Sequence, residues 1–154
     1  IASNQGKTVL STALLIADAE TKIDFANTSV DRIDLSLNDK GNISFINDKD
    51  LEVIDVEARN GSINITTKGD IEVLKASTLG VSDVNDMTVT SKTISGVGGN
   101  VYLGTINLGT RGDFTVNAGG IIEKSSSKIL FELIVSVWYS ELEKIISISP
   151  ASSL

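Results

Sequence analysis

The chain has 154 residues, of which 41% are hydrophobic, 21% charged and only 5% aromatic, which fits one domain or one segment of a larger protein. Its net charge of −7, with no basic stripe, makes nucleic acid and anionic membrane surfaces poor partners. The absence of Cys and His excludes disulfides, thiolate nucleophiles, imidazole bases and ordinary zinc sites.

The first segment, residues 1–22, does not fit the pattern of the chain that follows. Thr8–Ala19 is mostly small and aliphatic, which predicts a short helix or an irregular first coil that caps the next segment. Ile1–Gln5 lacks the basic start of a signal peptide. Gly6-Lys7-Thr8 resembles the end of a phosphate-binding loop, but Ile1 stands where that loop has its first glycine. We therefore expect no nucleotide and no other cofactor.

The middle segment, residues 23–122, contains an internal repeat. Gly41–Asn60 aligns with Gly61–Gly80 at an offset of 20 residues, and identical residues recur at matching positions. The identical pairs are Gly41/Gly61, Ile43/Ile63, Asp50/Asp70, Glu52/Glu72 and Val53/Val73. A fixed period of this length is typical of solenoid proteins.

Short apolar–polar–apolar units recur through the same segment, with turn residues such as Asn60-Gly61 and Gly119-Gly120 between them. Alternation with a period of two indicates strands that have one face buried and the other solvated. The units are Ile23–Phe25, Ile33–Leu35, Ile43–Phe45, Leu51–Val53, Ile63–Ile65, Ile71–Val73, Met87–Val89, Ile106–Leu108 and Phe114–Val116. The segment is therefore predicted to be all-β.

The 20-residue register favours a β-solenoid, with coils of about 20 residues, over an antiparallel β-sandwich. Solenoid coils stack about 4.8 Å apart, so equivalent residues form ladders on parallel strands. The expected inward ladders are Ile43/Ile63 and Val53/Val73, and the residues expected to face solvent are Glu52, Glu72 and Thr115. The sandwich stays open as the alternative, because it also has short alternating strands separated by turns.

The repeats resemble those of filamentous haemagglutinin-type adhesins and related autotransporter-type surface proteins. The residues that carry this resemblance are Gly61-Ser-Ile-Asn-Ile, Gly69-Asp-Ile-Glu-Val and Gly112-Asp-Phe-Thr-Val. The resemblance implies a right-handed parallel β-helix that is exported to the bacterial surface. It also implies binding to host cells, other bacteria or matrix.

Arg111-Gly112-Asp113 is the candidate binding site, because integrins read this tripeptide on some extracellular proteins. Lys68-Gly69-Asp70 precedes Ile71–Val73 just as Arg111-Gly112-Asp113 precedes Phe114–Val116. The pattern therefore also predicts that the two tripeptides occupy the same turn of the repeat.

Stacked carboxylates raise the hypothesis of a carbohydrate-active enzyme. A polysaccharide-cleaving β-helix needs carboxylates on one outer face, and Asp50 with Asp70, or Glu52 with Glu72, could form such ladders. The charges alternate with apolar residues as on any solvated strand face, so we predict a protein that is not an enzyme. The acidic clusters at Asn47-Asp48-Lys49-Asp50 and Asp83-Val84-Asn85-Asp86 lack the spacing of a calcium-binding loop, and no metal site is expected.

The last segment, residues 123–154, changes pattern. From Lys128 to Ser147, polar residues recur every three or four positions, which is typical of an amphipathic helix, although a closing strand is also compatible. We predict that this segment caps the open end of the solenoid or contacts a neighbouring chain. The residues expected in that contact are Phe131, Ile134, Trp138 and Leu142. The charges at Glu132, Glu141, Glu143 and Lys144 argue against a membrane span.

These observations predict an extracellular structural or adhesive β-solenoid, a surface-exposed repeat segment of a bacterial adhesin. The expected location is secreted or cell-surface. The expected partner is a cell-surface protein, a glycan or another copy of the chain. A β-sandwich subunit of a surface filament is the alternative, and a carbohydrate-active β-helix enzyme ranks below both.

Overall fold

The computed structural model describes residues 9–80, 85–92 and 98–125, and the regular structure in these residues is β-strand. The alternating apolar pattern of the sequence coincides with strands, and those over Asn42–Asn47, Ile63–Thr67 and Met87–Ser91 bury every second side chain. The strands are β1 Leu10–Ala19, β2 Lys22–Lys40, β3 Asn42–Asn47, β4 Leu51–Asn60, β5 Ile63–Thr67, β6 Ile71–Thr78, β7 Met87–Ser91, β8 Val101–Asn107, β9 Phe114–Ala118 and β10 Ile122–Lys124.

All the described strand pairs are parallel, and the chain winds through them as a β-solenoid of about five turns. The first part of β2 pairs with β3, and β5, β7 and β9 follow in order; we call this stack side one. The second part of β2 pairs with β1 and β4, and β6, β8 and β10 follow; we call this stack side two. The predicted fold is confirmed, and the antiparallel sandwich is wrong.

The predicted inward ladders are confirmed. Ile43 pairs with Ile63 and Val53 pairs with Val73, and all four side chains are buried. Since the strands are parallel and in register, identical residues lie directly above one another in the core.

The core is a continuous column of aliphatic side chains between the two sides. Near one end, Phe25 lies beside Phe45, with ring centroids 6.0 Å apart in an edge-to-face arrangement. The largest fully buried side chains are Phe45, Ile23, Ile33, Leu35, Leu37, Ile43, Ile63, Ile65, Ile71, Met87, Val30 and Val53.

The residues predicted to face solvent lie on the outer surface, to different extents. Thr115 is exposed, whereas Glu52 and Glu72 are half-buried. The two glutamates lie on neighbouring strands, so each covers part of the other.

One corner between the sides is sealed by buried polar residues. Asn47 lies in register with Thr28 and Thr67, and it is 1% exposed. Its Oδ1 accepts hydrogen bonds from the Val30 backbone N–H and the Thr28 hydroxyl, both at 2.9 Å. Its Nδ2 donates to the Val30 carbonyl oxygen at 2.9 Å and to the Lys49 carbonyl oxygen at 3.0 Å. The Asn47 side chain therefore supplies the partners that the bent backbone cannot find in a strand ladder.

The opposite corner depends on glycine. The Gly41 backbone N–H donates to the Asn60 carbonyl oxygen at 3.0 Å, so successive coils approach closely there. A Cβ atom on Gly61 would collide with the Gly41 carbonyl oxygen of the coil below. This contact explains the glycine recurrence at the 20-residue offset.

The 20-residue period does not extend through the whole stack. Ile43 and Ile63 are 20 residues apart, but Ile63 pairs with Met87 and Ile71 pairs with Val101. Extra residues therefore lie between β6 and β7 and between β7 and β8, while the strand register is kept.

The parallel sheet begins before residue 23, the predicted boundary of the repeats. Leu10–Ala19 is strand β1, in which Leu15 pairs with Ile33 and Ala17 with Leu35. The helix or irregular coil expected over Thr8–Ala19 is therefore replaced by a further coil of the same sheet. At the other end of the described residues, β10 runs to Lys124.

The predicted cap lies outside the described residues, because residues 126–154 are not among them. The contacts expected for Phe131, Ile134, Trp138 and Leu142 therefore stay a prediction. Within the described ranges, no helix is long and apolar enough to cross a membrane.

We predict that Val53→Asp destabilises the fold by on the order of 4 kcal/mol, because it places an unpaired carboxylate in a fully buried ladder. Glu52→Gln, one residue away on the outer surface, should change stability by less than about 0.5 kcal/mol. Chemical denaturation of both variants measures the difference. Equal shifts would contradict the assignment of the two faces.

We also predict that Asn47→Ala costs about 2–4 kcal/mol, because it leaves the buried Val30 N–H and carbonyl groups without partners. Asn64→Ala, the same substitution at an exposed strand position, is the control and should cost less than about 0.5 kcal/mol. Asn47→Thr should recover part of the loss, since threonine stands at this position in the coils above and below. A denaturant melt in which Asn47→Ala and Asn64→Ala behave alike would contradict this role.

Candidate functional site

The outer surface of side two carries most of the described charge on the strands, and we call it the charged face. Parallel register aligns its side chains in columns that cross the strands. One column consists of Leu14, Arg32, Glu52, Glu72, Tyr102 and Glu123. Two glutamates are thus direct neighbours, about 4.8 Å apart in the backbone.

A shallow groove of about 290 Å³ runs along the start of this face. Five of its seven lining residues are acidic. It is lined by Asp31, Asp50, Leu51, Glu52, Asp70, Glu72 and Tyr102. The structure therefore brings together both carboxylate pairs that the sequence singled out.

The two aspartates in the groove hold the coils together. Asp50 Oδ1 accepts a hydrogen bond from the Asp70 backbone N–H at 2.8 Å. Asp70 Oδ1 in turn accepts from the Asn100 backbone N–H, also at 2.8 Å. Asn100 Oδ1 continues the ladder by accepting from the Ile121 N–H at 3.0 Å. Each side chain satisfies a turn amide of the next coil, which is a structural role.

Glu52 and Glu72 are the two groove carboxylates that lie next to each other in one column. Glu72 Oε1 accepts a hydrogen bond from the Ser125 hydroxyl at 2.5 Å, and Arg32 lies next to Glu52 in the column. Both glutamates are half-buried on one open surface. Such a pair favours cationic groups on a partner. Among the described residues, no group of three or more acidic side chains could hold a metal ion.

The neighbouring column contains an ion pair between Lys75 and Asp55, whose Nζ and Oδ2 atoms lie 2.5 Å apart. The hydrogen bond to Asp55 raises the pKa of Lys75, burial lowers it, and the nearby carboxylates of Asp55, Glu57 and Asp34 raise it further. Lys75 is half-exposed, so solvent screens the pair and its contribution to stability is below about 1 kcal/mol.

The Arg111-Gly112-Asp113 tripeptide forms a turn on the surface between β8 and β9. Arg111 and Asp113 are exposed. The Gly112 N–H donates to the Gly109 carbonyl oxygen at 3.2 Å, and the Asp113 N–H donates to Asp86 Oδ1 at 3.0 Å. A Cβ atom on Gly112 would collide with the Asn85 carbonyl oxygen, so the glycine is required by stacking.

The predicted equivalence of this tripeptide with Lys68-Gly69-Asp70 is wrong. Lys68-Gly69-Asp70 leads into β6 on side two, and the backbone N–H of Asn100 in the next coil donates to Asp70 Oδ1. Arg111-Gly112-Asp113 leads into β9 on side one, and it rests on Asp86. The two tripeptides are turns of the solenoid at different corners.

The outer surface of side one has a different chemistry, and the sequence analysis did not single it out. The outward side chains of β3, β5, β7 and β9 are all uncharged, and we call them the neutral face. They are Asn42, Ser44, Ile46, Asn64, Thr66, Thr88, Thr90, Thr115 and Asn117. The first part of β2, which belongs to the same side, adds the ion pair of Lys22 and Asp24. The alternation that identified the inward residues of these strands also identifies the outward ones, so the signal was present in the sequence.

Comparison with protein-family models, with curated proteins and with solved structures finds no match to this chain.

Proposed function

We propose that the chain is an extracellular adhesive β-solenoid, a surface-exposed segment of a bacterial adhesin that presents periodic side-chain columns to a partner. The resemblance of the Gly61, Gly69 and Gly112 repeat units to filamentous haemagglutinin-type repeats supports the bacterial surface as its location. The partner is a cell-surface protein, a glycan or a further copy of the chain.

The observation that carries this proposal is the organisation of the outer surface. Parallel register converts single exposed residues into columns that run across five or six strands, such as the column from Leu14 to Glu123. A periodic open surface offers many weak contacts at once, and simultaneous weak contacts give strong attachment through avidity. The charged groove and the exposed Arg111-Gly112-Asp113 turn are two parts of this surface with a chemistry of their own.

We predict that beads coated with the full chain adhere more strongly than albumin-coated beads to at least one biological surface. The surfaces to compare under flow are cultured epithelial cells, bacterial lawns and immobilised matrix proteins. Aggregation of the same beads in suspension measures self-association. Retention is counted at increasing shear. Retention equal to albumin on every surface, together with no self-association, would overturn the proposal.

Two variants identify the surface that adheres. Combined Glu52→Gln and Glu72→Gln removes two of the five carboxylates of the groove, and Asp113→Ala removes the carboxylate of the turn. Asp39→Ala is the control, because Asp39 is also an exposed aspartate, near the end of β2, and makes its contact to Glu20 through the backbone. Loss of adhesion with Asp113→Ala but not with Asp39→Ala assigns the contact to the turn. Loss with the glutamate variant alone assigns it to the charged face.

A further inference from the structure

Three buried oxygen atoms on the charged face have no hydrogen-bond partner within the described residues. They are Oδ1 of Asp55 on β4, the hydroxyl oxygen of Ser77 on β6 and the hydroxyl oxygen of Thr105 on β8. Ser77 as a whole is only 4% exposed. Nearly all buried polar groups in proteins are hydrogen-bonded, because an unpaired one loses its hydration without compensation. Three such atoms on neighbouring strands therefore indicate a place that a ligand completes.

The three oxygens surround Lys75. Lys75 pairs in register with Thr105, and its Nζ atom contacts the other carboxylate oxygen of Asp55. Ser77 follows Lys75 by two residues on β6, and it points outward because Ala76 between them belongs to the core. Neighbouring side chains are thus about 4.8 Å apart across the strands and about 6.6 Å apart along β6. We call these four side chains of Asp55, Lys75, Ser77 and Thr105 the Lys75 cluster.

The Lys75 cluster offers both donors and acceptors to a ligand. The carboxylate of Asp55 only accepts hydrogen bonds, the ammonium of Lys75 only donates them, and the two hydroxyl groups do both. The Lys75 side chain is half-exposed and its ion pair is screened by solvent, so this flexible side chain can move aside and admit a ligand. A sugar hydroxyl, which donates and accepts at once, matches such a mixed set. A cationic group of a basic protein would instead be repelled by Lys75.

An aromatic ring lies beside the cluster. Tyr102 precedes Thr105 on β8, is half-buried and lines the open groove of the charged face. The apolar face of a sugar ring packs on such an aromatic face, while its hydroxyl groups reach the polar groups nearby. No aromatic side chain lies among the outward positions of the neutral face, so this combination belongs to side two.

We propose that the Lys75 cluster and Tyr102 bind a neutral glycan, which rests on the adhesive role proposed above and names the glycan as its partner. The charges around the site decide against an acidic glycan. The column from Leu14 to Glu123 contains three glutamates and one arginine, and five residues of the groove are acidic. This negative surface repels sulfate and uronic acid groups, so the ligand is an uncharged chain of sugars.

Affinity electrophoresis of the full chain tests this inference. Native gels contain dextran, galactomannan or xyloglucan as neutral glycans, or dextran sulfate as the anionic counterpart of dextran. The mobility of the protein in each gel is compared with its mobility in a gel without glycan. We expect at least one neutral glycan to retard the wild-type chain and dextran sulfate to leave it unaffected.

A pair of double variants separates binding from folding. Ser77→Ala combined with Thr105→Val removes two hydroxyl groups that have no partner in the free protein, so the melting temperature should stay the same or rise. The apparent dissociation constant for the glycan should rise about tenfold or more, because the ligand loses two hydrogen bonds. Ser44→Ala combined with Thr88→Val makes the same changes at half-buried positions of the neutral face, and should leave retardation intact.

The ring of Tyr102 has its own test in the same gels. Tyr102→Phe keeps the aromatic face and should retain most of the retardation, whereas Tyr102→Ala should abolish it. Thermal melts followed by circular dichroism establish that both variants are folded.

Retardation by none of the three neutral glycans would overturn the inference and leave solvent as the partner of the three oxygens. Equal retardation of the wild type and the Ser77→Ala, Thr105→Val variant would place the glycan elsewhere. Capture by polylysine that this variant alone loses, without retardation by glycans, would assign the face to a basic partner. Bead adhesion without glycan binding would refute this inference alone. Glycan binding without adhesion to any surface would refute the adhesive role and leave the glycan site.

Discussion

The constraint on which this structure depends is the parallel, in-register pairing of each coil with the next, about 4.8 Å away. Every inward side chain must fit the residue directly above and below it, which is why Ile43, Ile63 and Met87 form one ladder. The same constraint acts on the backbone at the corners. Polar groups that leave the strand ladder must be satisfied by side chains, and the buried Asn47 amide does so for Val30. Corners that approach more closely admit only glycine, as at Gly61.

How much of this could be predicted from the sequence depends on how constant the coil length is. Where successive coils have 20 residues, the ladders of Ile43 with Ile63 and Val53 with Val73 followed directly from the offset. Where a turn lengthens, the offset changes but the register does not, because pairing depends on the strands and not on the connection between them. This is why the equivalence of Lys68-Gly69-Asp70 with Arg111-Gly112-Asp113 failed: the longer connections bring the second tripeptide to the other corner.

Strand β1 was missed for a different physical reason. Its inward positions carry small residues such as Ala17 and Ala19, while its outward positions carry Leu14 and Ile16. Ile16 is 68% exposed, so apolar residues lie on both faces of β1 and the apolar–polar alternation of the other strands is lost here. Alternation indicates a half-buried strand only where inward residues are apolar and outward residues are polar. The pairing that makes β1 a strand is with β2, later in the chain, and a local pattern does not show it. The charged groove could not be predicted for the same reason, since Glu52 and Tyr102 come together only when the coils stack.

Stacking also determines how function can be inferred from such a molecule. Any outward residue that recurs in register becomes a column, so periodicity by itself distinguishes no surface from another. What does distinguish them is a difference between surfaces that share one core. Sides one and two bury similar aliphatic ladders, yet side two presents carboxylates, Arg32 and Tyr102, whereas side one presents mainly hydroxyl and amide groups and carries its charges, Lys22 and Asp24, on its first strand. Folding requires nothing of the outward residues beyond solvation and β-propensity. The unequal distribution of charge between the two outer surfaces is therefore a feature of the described residues that packing leaves unexplained, and we expect the contacts with a binding partner to depend on it.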